Sequence, residues 1–154
     1  MSNNFAVHGA SLRRGRCSGG GGIYLVTTVI AGRRPLLRDW RAARLLVDEI
    51  RLAEQEGLVV SLAWVIMPDH LHWLLRLGDA DLAGLMKRLK GRSARRINRY
   101  LGLGGLFWQA GYHDRAVRRE EDLRVVARYI IANPIRAGMV ERVGDYPLWD
   151  AIWL

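Results

Sequence analysis

The segment Met67-Pro68-Asp69-His70-Leu71-His72-Trp73-Leu74-Leu75 sets two histidines at i and i+2 at the head of an apolar run, directly after a Pro-Asp turn. On a strand, side chains alternate between faces, so His70 and His72 point one way while Leu71, Trp73 and Leu75 point the other. Two imidazoles on one face, a short step apart, can chelate a divalent metal. The apolar opposite face can be held rigidly on a core. A lone H-x-H is a weak signal, and two exposed or hydrogen-bonded histidines are its commoner meaning.

Working outward, residues 58–67 read as the strand before the turn and 70–77 as the strand after it, so the two make a hairpin. Upstream, residues 23–30 are β-branched and bounded by glycines, which predicts a first strand. A helix follows from Asp39, a plausible N-cap, to about Glu56, with Ala43, Leu46, Val47 and Ile50 on one face and Gly57 as its stop. Downstream, a second helix begins near Asp81 and turns Leu82, Leu85, Met86 and Leu89 to the core. Residues 106–117 predict a fourth strand, and a third helix opens at Arg118 and runs to about Ala132 or Asn133, because Pro134 disfavours helical geometry in the residue before it. The remainder reads as a tail packed back on the domain.

The order β-α-β-β-α-β defines the fold class: α+β, ferredoxin-like (split β-α-β), a four-stranded antiparallel sheet with two helices on one face. To it are added a C-terminal helix and a tail. One sheet face is left free to bind something, and the histidine pair falls on it if Leu71, Trp73 and Leu75 pack on the helices. Residues 1–22 read as a flexible basic, glycine-rich arm and 23–154 as a single domain.

Half of the 154 residues are apolar and a quarter charged, as in an ordinary soluble domain, but the net charge is +9 and the pI near 10.7. A small basic domain of this kind meets a polyanion, with nucleic acid the leading candidate. Cys17 is the one cysteine, which excludes a disulfide framework and a cysteine zinc site. No apolar run reaches the roughly 18 residues a membrane span needs, and the N-terminus lacks the apolar core of a secretory signal, so the cytoplasm is expected.

The positive charge is clustered. Arg13, Arg14 and Arg16 lie in the arm, Arg33 and Arg34 in the turn after the first strand, and Lys87, Lys90, Arg92, Arg95 and Arg96 on the second helix. No acidic residue occurs between Asp81 and Asp114, so ion pairs within that helix cannot explain the run. A phosphate-binding surface is the expectation.

Val125, Tyr129 and Asn133 recur every four residues and so share a helical face. If that face docks over the exposed side of the sheet, Asn133 can complete a metal site with His70 and His72, beside Tyr129. Two imidazoles and one neutral oxygen leave positions open, which suits Mg²⁺ or Mn²⁺ holding a phosphate. A tyrosine with a pKa of about 10 needs such an environment to act as a nucleophile. Taken alone, Tyr129 reads as an ordinary amphipathic-helix residue, and Tyr24, Tyr100, Tyr112 and Tyr146 are rivals, Tyr112 the strongest.

In combination these segments resemble the REP-associated tyrosine transposases, single-domain members of the HUH endonuclease superfamily. The resemblance runs over almost the whole chain. It is carried by Tyr24-Leu25-Val26-Thr27-Thr28, Ala63–His72, Lys90-Gly91-Arg92-Ser93, Phe107–Asp114 and Ala127–Pro134. It implies that His70 and His72 are the HUH histidines, Tyr129 the nucleophile and Asn133 the third ligand, where insertion-sequence relatives carry glutamine. It also implies the reaction: attack on a single-stranded DNA phosphodiester, a 5′-phosphotyrosine link, a released 3′-hydroxyl, and strand transfer without ATP. The implied substrates are hairpins of repetitive extragenic palindromes, and monomer and homodimer both remain open.

Two other readings compete. A ferredoxin-like sheet can bind single strands by stacking alone, as RRM domains do, but the third strand offers His70, His72 and Arg76 where an aromatic platform is needed. A structural zinc site requires a fourth protein ligand, for which His113 is the available candidate.

Overall fold

The computed structural model describes residues 6–8, 21–118 and 120–153. These fold as β1 (Ala6–His8), β2 (Ile23–Val29), α1 (Trp40–Gln55), β3 (Val59–Met67), β4 (His70–Leu77), α2 (Leu82–Leu101), β5 (Tyr112–Ala116), α3 (Glu120–Ile131), α4 (Asn133–Arg136) and β6 (Trp149–Ala151). The sheet order is β1-β5-β2-β4-β3-β6, antiparallel throughout. Its inner four strands, β5-β2-β4-β3, are the expected ferredoxin-like set. Two three-residue strands extend it at the edges, β1 on β5 and β6 on β3. Neither was expected, and Ala6–His8 lies in the stretch read as a flexible arm. Arg13, Arg14 and Arg16 lie outside the described residues.

The helix boundaries follow their caps. The Asp39 carboxylate accepts from the amides of Arg41 and Ala42 at the head of α1, and that of Asp81 from Gly84 in α2. Gly102 closes α2 at φ 68°, a left-handed geometry that costs a residue without Cβ nothing. Asp39 is thus the N-cap the sequence suggested, and Asp81 caps the helix expected to begin near it.

Two boundaries differ from expectation. The fourth strand is Tyr112–Ala116 alone, while Trp108 makes a single bridge to Ile30 and donates its Nε1 to Ser93 Oγ at 3.0 Å. Pro134 starts a helix instead of ending one. It sits in the first turn of α4, where its missing N–H has no intrahelical partner to lose, and the break falls at Ala132.

The face of β4 bearing Leu71, Trp73 and Leu75 is buried in the core, with α1 and α2 packed against each other on that side. On the opposite face, His72 aligns with Thr27 of β2 and Val65 of β3, and Leu74 with Leu25 and Ala63. Val65, Ala63 and Leu74 are fully buried because α3 packs on β3, β4 and β6. The tail returns to β3 through the Tyr146 hydroxyl, which donates to the Ile66 carbonyl, and through Ile66 N–H donating to Leu148 at 2.9 Å.

Glu49 of α1 is buried and ties the helix pair together, accepting from Arg92 Nε at 2.8 Å and Arg96 Nη1 at 3.0 Å. Burial alone would raise its pKa, but the hydrogen bonds and charges of the two arginines hold it below the ordinary 4.5. A depressed carboxylate contributes stability that is complete above about pH 4.5 and is lost as the pH falls through the lower native value. Glu49→Gln should therefore cost about 1–2 kcal/mol at neutral pH, the arginine ends being partly solvated. Thermal melts from pH 3 to 7 should show the wild-type advantage shrinking at the acid end. An advantage that stays constant with pH would contradict this assignment.

Candidate active site

The two histidines lie half-buried on the sheet face that α3 covers in part, their ring centroids 4.7 Å apart and edge to face. Each has its Nδ1 engaged. His70 Nδ1 lies 2.6 Å from Asp69 Oδ1, and Asp69 in turn accepts from Arg33 Nη1 at 3.2 Å. Burial would raise the Asp69 pKa, but the bonds and charges of His70 and Arg33 lower it, so the carboxylate is ionised and can only accept. His70 therefore donates from Nδ1, which leaves its Nε2 to face the site. His72 Nδ1 lies 2.7 Å from Thr27 Oγ1, its direct neighbour on β2. With Nδ1–H donated to that hydroxyl, the Nε2 lone pair of His72 is likewise free. Such an outer partner on the far nitrogen is how metal-binding histidines are oriented.

His72 is held neutral. Burial, the charges of His70 and Arg136, and that of His113 depress its pKa from 6.5 to about 3, with Asp69 opposing them. A neutral imidazole is the metal-binding form.

Tyr129 lies near the end of α3 and Asn133 opens α4. Tyr129 is 40% exposed. Asn133 Oδ1 accepts from Arg136 Nη2 at 2.7 Å, and its Nδ2 is buried without a hydrogen-bond partner. The effect of Arg136 on His72 ties the α3–α4 junction to the histidine face.

The rival tyrosines are turned away. By register, Tyr24 aligns with Leu75, and Tyr112 alternates with His113, so both point to the helix-covered face. Tyr146 is buried, which pushes its pKa up to about 12. Tyr100 projects from α2 and donates to Asp39 Oδ2 at 3.2 Å. His113 aligns with Thr27, on the same row as His72 but two strands away. No cluster of three His, Cys, Asp or Glu residues suited to a metal occurs among the described residues.

Much of the expected DNA-contacting charge is engaged within the fold. Arg92 and Arg96 bind Glu49, and Arg88 binds Glu56 at 2.6 Å. Lys90 Nζ donates to the carbonyls of Gln109 and Gly111. Arg33 pairs with Asp69, and Arg34 donates to the carbonyls of Ala31 and Leu106. The acids missing from α2 are supplied by α1, across the helix interface. Lys87 and Arg95 stay exposed. Sequence reasoning missed Thr27, Asp69 and Arg115. Thr27 reads as one β-branched strand residue among several, and Asp69 as a turn residue. Arg115 aligns with Leu25, and so lies on the histidine face.

Residues 22–133 match the family described as Transposase IS200 like, and the chain belongs to it. The chain is similar to the REP-associated tyrosine transposase of Escherichia coli K12, at 29% identity over 129 residues that cover 82% of this chain and 74% of that one. A relative from Haemophilus influenzae is 29% identical over 143 residues, covering 82% and 78%. Among solved structures, a REP-associated tyrosine transposase bound to a REP hairpin superposes with a TM-score of 0.70 at 28% identity, covering 84% of this chain and 76% of that one. The protein is a transposase. No helix among the described residues is long and apolar enough to cross a membrane.

Because His72 is neutral in the fold and protonates near 6.5 when unfolded, its contribution to stability is present above about pH 6.5 and is lost as the pH falls toward 3. ¹H–¹⁵N spectra of the metal-free protein should show a neutral His72 ring at pH 5. Thr27→Val should leave the fold intact and weaken Mn²⁺ binding about 10-fold, read by calorimetry, since an outer-shell partner is lost.

Proposed function

We propose that this transposase is a metal-dependent single-stranded DNA endonuclease and strand transferase that cleaves through a 5′-phosphotyrosine intermediate. The observation that carries the reading is the arrangement of the histidine face. Two imidazoles present free Nε2 atoms there, and the exposed tyrosine is borne on the helix that covers the adjoining strand. His70, His72 and Asn133 are the residues that would hold Mg²⁺ or Mn²⁺. Bound there, the ion would polarise a phosphodiester oxygen. The Tyr129 hydroxyl oxygen attacks phosphorus, forming a P–O bond and breaking the bond to the DNA 3′-oxygen, which leaves as a hydroxyl once protonated. Attack by a 3′-hydroxyl on the phosphotyrosine reverses these steps, with bond energy conserved in the link.

The relative solved bound to a REP hairpin supports a palindromic hairpin as the substrate, and the strand to be cleaved is read here as single-stranded DNA. Such a substrate belongs to the nucleoid, and so to the bacterial cytoplasm. Arg76 and Arg115 lie on the histidine face, and with Arg13, Arg14 and Arg16 they are the cations we assign to the DNA strand. A non-catalytic stacking module is disfavoured, since the row of this face through the histidines carries His113, Thr27 and His72, with Arg115 beside it, in place of a platform of exposed aromatic rings.

A labelled single-stranded palindrome incubated with Mn²⁺ should give a covalent band on a denaturing gel. The band should need the metal and vanish in Tyr129→Phe and His70→Ala. Binding without cleavage across several palindromes would instead favour the stacking module. Arg76→Ala with Arg115→Ala should weaken binding and shallow the salt dependence by about two counterions. Arg92→Gln with Arg96→Gln should lower the melting temperature and leave that slope unchanged.

A further inference from the structure

One charged side chain at the α3–α4 junction touches both halves of the proposed centre. Arg136 Nη2 donates to the Tyr129 carbonyl at 2.6 Å and to Asn133 Oδ1 at 2.7 Å. Its guanidinium carbon stands 4.0 Å from the centroid of the Tyr129 ring. Its charge is also felt at His72. We propose that Arg136 is a positioning residue, a clamp that holds the Tyr129 ring and the Asn133 amide in one fixed relation. The proposal rests on the reading of Tyr129 as nucleophile.

Helix capping explains only part of this geometry. α3 ends at Ile131, so its last carbonyls lack intrahelical partners, and a cation there also suits the helix dipole. A cap requires the carbonyl contact alone. The stacking on the ring and the bond to Asn133 are additional, and they fall on the two residues the reaction needs.

Both residues need an external restraint. The Tyr129 ring is 40% exposed, so packing holds it only in part, and a stacked guanidinium limits its swing. Asn133 Nδ2 has no hydrogen-bond partner, so the contact that decides which way the amide faces is the one from Arg136 to Oδ1. A flipped amide would set N–H against N–H. The bond uses one lone pair of Oδ1 and leaves the other for a cation. Lysine cannot reproduce a planar group that stacks and donates at once.

Arg136 is exposed, so its removal leaves no core cavity. The experiment is single-turnover adduct formation on a labelled single-stranded palindrome with Mn²⁺, for wild type, Arg136→Ala and Arg136→Lys. Oligonucleotide affinity and melting temperature are measured on the same samples. Arg136→Ala should bind within about 3-fold of wild type and form adduct about 30- to 100-fold more slowly, the loss expected for a reacting group about 1 Å out of place. Arg136→Lys keeps the charge and should remain about 10-fold slow. Millimolar ethylguanidinium should restore part of the Arg136→Ala rate and leave wild type unchanged. Should the alanine variant unfold, the lysine variant carries the comparison. Wild-type adduct rates in either variant, or a loss confined to affinity, would overturn the clamp. A wild-type protein that forms no adduct would instead overturn the tyrosine reading beneath it.

Discussion

The register of β4 is the constraint on which the site depends. The strand lies between β2 and β3 and is hydrogen-bonded along both edges. Because side chains alternate with period two, a slip of one residue would bury the histidines and expose Leu71, Trp73 and Leu75. Those three are fully buried, and the Trp73 indole also donates to Ser61 Oγ at 3.0 Å beside the irregularity in β3. The hydrophobic core therefore holds the histidine face in place from behind.

From the front, charge and coverage shape the same face. α3 closes over the β3 side and buries Ala63, Val65 and Leu74, leaving the histidines at the margin of the covered zone. There burial keeps His72 neutral, while both rings retain part of their surface in solvent. The neighbouring Asp69 and Thr27 take the inner nitrogens, and the two rings stand 4.7 Å apart. Four of the five tyrosines are buried, face the other side of the sheet or project from α2. The remaining one, Tyr129, is on the covering helix.

The inner four strands, the hairpin and the Asp39 cap were legible because each is a local pattern: alternation, a Pro-Asp turn, a capping carboxylate. The role of the arginines on α2 was not. Glu49 and Arg92 are 43 residues apart, and rules for charges within one helix say nothing about acids facing it from another. Three-residue edge strands such as β1 and β6 carry too few alternations to be seen. Pro134 marked a break correctly, but whether proline ends one helix or opens the next depends on what the chain does afterwards. Thr27 and Asp69 matter through neighbours across strands or a turn, and their residue types gave no sign of it.

The most direct test of the account is to locate the covalent link. Adduct formed on a palindromic oligonucleotide with Mn²⁺ would be digested with nuclease and trypsin and analysed by mass spectrometry. Cleavage after Arg128 and Arg136 releases Tyr129-Ile130-Ile131-Ala132-Asn133-Pro134-Ile135-Arg136 as one peptide, whereas Tyr100 and Tyr112 leave together in another. The account predicts a nucleotide phosphate mass on Tyr129. The same mass on the peptide holding Tyr112 would contradict it.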